Sequence, residues 1–353
     1  MKVLVLAKLD KLNSFKQGLK TILESKGVET IFSLDAFWED ANDIDIVFFH
    51  WEEYLVKAEV ASLEVLQRIE QRLKYWKDRS KLIILKHNLK AHTYFENHEK
   101  LFELVNRYQD GVIHMGKYSK AEYDKLYQFS KDKKHVVIPH QWYNDTPNGI
   151  TKEKAREKLN IPKDQFVMLV FGAIRKSEES KLIFKAFKSL NVEKKVLLIS
   201  NWRGDKNINK RKRPFLWLWL KIKTVILGFN LKYRLNQTFI KEEDIQVFMN
   251  ASNILFIPRV DSLNSGNIPL GFTFGKVVVG SKCGNMGELL EDTDNPVFEP
   301  NSLKSIKEAM NKAYLLSQGN KGEENRMYAE KEWNYDIIGD KYVSFFNELL
   351  NIE

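Results

Sequence analysis

A chain of 353 residues, 43% hydrophobic and 29% charged, has a globular composition and is long enough for two domains, each with its own core. A single cysteine, Cys283, excludes an internal disulfide and a cysteine-held zinc site and fits a reducing compartment. The formal net charge of +9 favours anionic partners such as nucleic acid, an anionic membrane surface or phosphorylated small molecules, but no nucleic-acid-binding motif accompanies it.

Short apolar runs alternate with helical patterns along the chain. The N-terminal run VLVLA (3–7) lacks the long apolar core and cleavage site of a signal peptide and reads as a buried first strand, followed by an amphipathic helix over 15–26. Further strands are expected at IDIVFFH (44–50), KLIILKHN (81–88), GVIHM (111–115) and HVVIPH (135–140), with helices over 56–77, 98–107 and 120–129 between them. Turn formers cluster at 141–163, where a domain linker is expected. The alternation then restarts with FVMLVFGAI (166–174), a helix over 178–188, KVLLIS (195–200), NILFIP (253–258) and KVVVGS (276–281). Continuous apolar strands separated by helices predict parallel sheets covered on both faces, two doubly wound units in succession. In such sheets ligands bind beyond the carboxyl ends of the strands.

Stretch 210–233 (KRKRPFLWLWLKIKTVILGFNLKY) falls outside this pattern. Lys221 and Lys223 interrupt its apolar run, so it is too short for the roughly 20 apolar residues of a membrane span. Basic residues flanking tryptophans suit a helix lying in a bilayer interface, and a domain helix packed on its aromatic face is the alternative.

Two groups of residues are placed where chemistry is expected. His50, His87, His114 and His140 stand at or just beyond strand ends of the first half. A metal cluster is one reading of them, but only His87 and His92 are closely spaced and no carboxylate pair joins them, so no metal site is assigned. In the second half, Gly172 ends a strand and is followed by Arg175 and Lys176 at a helix start, where cations and free N–H groups favour an anion. Asn264, Ser265 and Gly266 repeat the arrangement ahead of another apolar helical run.

Taken in order, these motifs resemble the GT-B glycosyltransferases of retaining family 4, and most closely a bacterial subgroup that assembles surface polysaccharides. The resemblance covers residues 1 to about 350. It rests on the His50-Trp51 strand end (FFHWEE), the His87-Asn88 strand end with His92 shortly after (KHNLKAH), and VIPH up to His140. In the second half it rests on GAIR, with Gly172 and Arg175, and on NSGNIPLGFTFGKVVVGSKCGNMGELL.

The resemblance implies two Rossmann-like doubly wound domains facing a central cleft. An N-terminal acceptor-side domain would span 1–144, completed by closing helices at 334–353, and a nucleotide-sugar domain would span 145–333. It implies transfer of a hexose-type residue, without a metal or other cofactor, from a nucleotide-diphosphate sugar to a saccharide or lipid-linked acceptor. By the same resemblance His87 contacts the donor sugar, Arg175 stabilises the leaving diphosphate, and the Ser265 and Gly266 amides cap phosphate oxygens. Gly172, Lys176, Lys181, Asn264 and Glu288 complete the expected donor side; Asn13, His50, Trp51, Asn88, His92 and His140 form the expected acceptor side. The family's lysine three residues after the arginine is replaced by Glu178, with Lys176 and Lys181 nearby. Its pair of glutamates would fall near Ser262 and Leu270, with Asp261 adjoining the first. A non-catalytic partner subunit and a sugar-nucleotide epimerase are the alternative readings. The expected location is cytoplasmic, with 210–233 as a peripheral contact to the inner membrane face.

Overall fold

The computed structural model describes residues 1–9, 14–56, 61–89, 95–174, 176–202, 214–215, 218, 221–222, 224–225, 230, 232–238 and 240–352. The chain divides into two compact units, one comprising Met1–Gln141, Ser262–Asn264 and Glu332–Glu353, the other Trp142–Asp261 and Ser265–Lys331. Each unit is built on a six-stranded sheet whose pairings are all parallel.

The first unit contains β1 (Lys2–Leu6), α1 (Ser14–Ser25), β2 (Glu29–Phe32), β3 (Ile46–Phe49), α2 (Leu63–Lys77), β4 (Lys81–Lys86), α3 (His98–Tyr108), β5 (Gly111–His114), α4 (Lys117–Leu126) and β6 (Lys134–Val137). Its strand order is β2-β1-β3-β4-β5-β6, so the chain reverses direction across the sheet between β1 and β3. Strand side chains alternate between faces. Leu4, Leu6, Val47, Phe49, Leu82 and Ile84 accordingly pack with Ile69, Leu73 and Trp76 of α2 and Leu101 and Val105 of α3. Their strand neighbours Val3, Val5, Ile46, Phe48, Ile83 and Leu85 pack on the opposite face with Leu19, Ile22 and Leu23 of α1.

In the second unit, α5 (Lys152–Lys158) precedes β7 (Phe166–Val170), α6 (Ser177–Ser189), β8 (Lys195–Ile199), β9 (Tyr233–Leu235), α7 (Glu242–Ala251), β10 (Ile254–Phe256), α8 (Asn267–Thr273), β11 (Val277–Ser281), α9 (Gly284–Asp292), β12 (Val297–Phe298), α10 (Leu303–Leu316) and α11 (Lys321–Glu332). The order β12-β11-β10-β7-β8-β9 reverses between β7 and β10. Met168, Val170, Leu197, Ile199, Phe256 and Val279 pack under α6 and α10 through Ile183, Phe187, Ile306 and Met310. α12 (Tyr335–Leu350), capped by the Asn334 side chain, then completes the core of the first unit with Ile338, Tyr342, Phe345 and Phe346.

Three strands carry no clear signal in the sequence. β2 and β9 are only half buried, and β12 has two residues, so none of them makes a continuous apolar run. Helix boundaries also differ: the helix expected over 120–129 occupies Lys117–Leu126, and the one expected from 56 begins at Leu63, after a short 3-10 turn at Glu52–Val56. The Ser62 hydroxyl accepts from the Val65 N–H at 3.2 Å and sets that later start.

Candidate functional site

In the first unit the sheet reverses beside the carboxyl ends of β1 and β3, and an aromatic cluster gathers there. Phe15, near the start of α1, lies with its ring centroid 5.6 Å from His50, 5.2 Å from His87 and 4.7 Å from His140. His50 follows β3 and His87 follows β4, strands that pair in parallel with Phe49 opposite Ile84, so both histidines leave the sheet at the same edge. His87 Nε2 lies 3.2 Å from His50 Nδ1, and the Trp51 ring stacks on His87 at 4.9 Å, 5° from parallel. Gln141 ties His140 to the group, its side chain donating to the Phe15 carbonyl at 2.8 Å while its own carbonyl meets His140 Nδ1 at 2.6 Å.

Charge in this cluster is restrained. Burial pushes His50 down to about 3, with the Lys16 cation adding to the effect, and burial pushes His140 down to about 4 despite its carbonyl partner. Both rings are neutral at physiological pH, so they offer hydrogen bonds and shape but no cationic charge.

Not every strand-end histidine belongs here. His114, the last residue of β5, is fully buried, and its Nε2 meets His135 Nδ1 at 3.0 Å. Burial first, then His135, pushes it down to about 3, and the pair is part of the core between β5, β6 and α4. Burial and the contact to His135 set His114 apart from the cluster of His50, His87 and His140. Asn88 is half buried beside His87, and the Asn264 amide, which belongs to the first unit, donates to the His87 carbonyl at 2.8 Å. Asn13 and His92 lie outside the described residues.

In the second unit the reversal falls between β7 and β10. Gly172, two residues past β7, has φ +88°, a conformation that favours glycine, and its N–H donates to Ser200 Oγ at 2.8 Å. The Asn267 side chain holds the neighbouring Phe171 carbonyl at 2.9 Å. Arg259, beyond β10, pairs with the buried Glu179 of α6 and donates to the Ala173 carbonyl at 2.6 Å, fixing the loop to the helix behind it. Arg175 lies outside the described residues.

Lys176 is exposed and paired with Asp261, whose carboxylate raises the lysine pKa. The sequence offers Asp261 as a neighbour of the missing family glutamate; the structure makes it the counter-ion of Lys176. A surface pair of this kind contributes about 0–1 kcal/mol, so an anionic ligand can displace it. Lys181 is exposed on α6, and Ser265 and Gly266 lead into α8. Glu288 sits in the second turn of α9. Among the described residues no group of three or more His, Cys, Asp or Glu side chains is placed to hold a metal ion.

Sequence reasoning missed Phe15, which joins the three histidines, and the buried charges Glu52 and Lys86 beside them. The signal for Lys86 was present, since a lysine follows four consecutive apolar residues in a buried strand.

No family profile matches the chain, and no curated protein matches it in sequence. Solved structures do match across its whole length. It is similar to HepE from Anabaena in complex with UDP-glucose, with TM-score 0.70 and 14% identity over 99% of this chain and 100% of that one. It is similar to WaaG, a glycosyltransferase involved in lipopolysaccharide biosynthesis, with TM-score 0.60 and 13% identity over 99% of each chain. It is also similar to the catalytic domain of starch synthase IV from Arabidopsis thaliana bound to ADP and acarbose, with TM-score 0.67 and 11% identity over 99% of each. The two parallel six-stranded sheets and these likenesses define the fold as GT-B, with two Rossmann-like domains.

Proposed function

We propose that the protein is a glycosyltransferase that moves a hexose-type residue from a nucleotide-diphosphate sugar to a saccharide or lipid-linked acceptor in surface-polysaccharide assembly. The observation that carries this reading is the His50–Trp51–His87 group at the switch point of the first sheet, on the GT-B fold. Similar solved structures hold UDP-glucose, UDP and ADP, which supports a nucleotide donor here.

In this account His87 hydrogen-bonds the donor sugar, with its ring plane set by Trp51 and one nitrogen engaged by the neutral His50. Breaking the sugar–diphosphate bond leaves negative charge on the leaving group, and fixed cations and N–H donors stabilise it. Arg175 and Lys176 supply the cations, Lys176 exchanging Asp261 for phosphate oxygens, while Lys181 adds positive charge from α6. The positive-φ turn at Gly172 and the Ser265 and Gly266 amides face the diphosphate, and Glu288 meets the sugar or nucleotide. His140, Asn88, His92 and Asn13 shape the acceptor side. A bond from the sugar's anomeric carbon to the acceptor oxygen replaces its bond to the diphosphate, and the acceptor's hydroxyl proton passes to the departing diphosphate or to solvent.

The domain assignment belongs to the same proposal: acceptor binding by 1–144 with 334–353, donor binding by 145–333. A peripheral membrane contact through 210–233 has separate support. Most of that stretch lies outside the described residues, but Phe215, Leu218, Ile222 and Val225, spaced three, four and three apart, are all exposed. No helix among the described residues is long and apolar enough to cross a membrane.

Incubation with radiolabelled nucleotide sugars and an extract of lipid-linked glycans tests the transfer. Label is expected in the glycan, and Arg175→Ala is expected to abolish it. Donor converted to an isomer without acceptor would instead identify an epimerase. Co-sedimentation with anionic vesicles tests the contact: binding that Phe215→Ser/Ile222→Ser weakens supports it, and full recovery in the supernatant refutes it.

A further inference from the structure

Beneath the histidine pair lies a polar layer that a parallel sheet ordinarily fills with aliphatic side chains. Lys86, the last residue of β4, is fully buried and ion-paired with Glu52, which is 3% exposed. Glu52 also accepts from the Asn106 side chain of α3 at 3.0 Å, and that amide donates a second time to the Phe102 carbonyl at 2.7 Å. The Lys86 ammonium lies 5.3 Å from the Phe102 ring centroid and 6.0 Å from that of Tyr123. Lys86 shares its sheet face with the apolar Leu82 and Ile84.

Burying an ion pair costs desolvation free energy that well-packed apolar residues of equal volume do not incur, so stability alone does not account for this pair. Its position in the chain does. Lys86 immediately precedes His87, and Glu52 immediately follows Trp51 and stands two residues from His50. The pair therefore fastens together the two strand ends that carry the stacked and hydrogen-bonded rings.

We propose that Lys86 and Glu52 are positioning residues: their ion pair holds His87 against Trp51 and His50 in the one orientation that meets the donor sugar. An ion pair suits this task because its geometry is directional and Asn106 fixes the carboxylate from the other side, whereas an aliphatic contact lets the two strand ends slide. The activity arm of the test rests on the transferase reading given above; the spectroscopic arm does not.

The test compares the full-length chain with Lys86→Met/Glu52→Leu, which replaces the charges with apolar groups of similar volume, and with Glu52→Gln. In the double variant the melting temperature is expected to stay near that of the unaltered chain. The ring signals of His50 and His87 in ¹⁵N-histidine spectra are expected to move, and kcat for transfer to fall about 100-fold with the donor KM changed far less. Glu52→Gln keeps the shape without the charge and serves if the double variant does not fold; its ring signals and kcat are expected to change in the same direction. Unmoved histidine signals in a folded variant would overturn the proposal, as would unmoved kcat in an active one. Displaced rings in a chain whose unaltered form transfers no sugar would keep the positioning role and refute the transferase reading instead.

Discussion

The His87 ring is stacked on one side by Trp51 and engaged at Nε2 by His50, so its orientation is determined by neighbours before any ligand arrives. Replacing it by alanine should remove a contact to the donor sugar and lower kcat/KM about 10- to 100-fold, a loss of one or two hydrogen bonds. Steady-state kinetics of His87→Ala with the preferred donor would check this, and an unchanged kcat/KM would move the sugar contact elsewhere. At Gly172 the constraint is conformational. With φ at +88° a side chain costs about 1–2 kcal/mol, so Gly172→Ala should lower the urea midpoint and strain the turn whose N–H donates to Ser200 Oγ. A variant as stable as the unaltered chain would show that the turn tolerates a Cβ.

Elements meet closely where small residues permit it. A Cβ on Gly111, at the start of β5, would lie 2.7 Å from Phe345 Cζ and 2.8 Å from Leu349 Cδ1, both on α12. Gly111→Ala should therefore push α12 outward and destabilise the first unit by about 1–3 kcal/mol, measurable by urea denaturation followed through hydrogen exchange of the α12 amides. Undiminished protection of those amides would mean that the packing adjusts without cost. This contact illustrates what the sequence makes legible. The long apolar strands and their helices can be read from periodicity, because burial on both faces leaves no polar alternation in runs such as IVFF and FVMLV. Half-buried β2 and β9 escape that signal, and no local pattern announces that a C-terminal helix packs on Gly111. The site divides similarly. His50, Trp51 and His87 are legible from their strand-end positions, whereas Phe15 comes from a helix far away in sequence and joins them only through the fold. His114 looks the same in sequence as its three counterparts; only its packing against His135 and Tyr123 separates it from them.

For the molecule as a whole, its buried histidines predict a particular response to acid. Burial lowers the folded-state pKa values of His50 and His114 to about 3, below the ordinary histidine value of 6.5, and lowers His140 as well. Below pH 6.5 the unfolded chain takes up protons that the native rings refuse, so the contribution of these rings is complete above 6.5 and is lost as pH falls toward 3. Between pH 7.5 and 5, before most carboxylates titrate, His50 and His114 should each cost about 1–2 kcal/mol of stability. Urea titrations across that interval should show a falling midpoint, smaller in His114→Gln, and a flat profile would mean that the rings are protonated in the native state. The net charge of +9 suits an anionic donor, and the most direct test of the central claim is binding of that donor. Thermal denaturation of the unaltered chain and of Arg175→Ala, each with a panel of nucleoside diphosphates and their sugars, makes the measurement. One nucleotide series should stabilise the unaltered chain, by about 2.7 kcal/mol at a hundred times its dissociation constant, and should stabilise Arg175→Ala much less. If no nucleotide raises the melting temperature, or if both chains respond equally, the account of a diphosphate site built around Arg175 is contradicted.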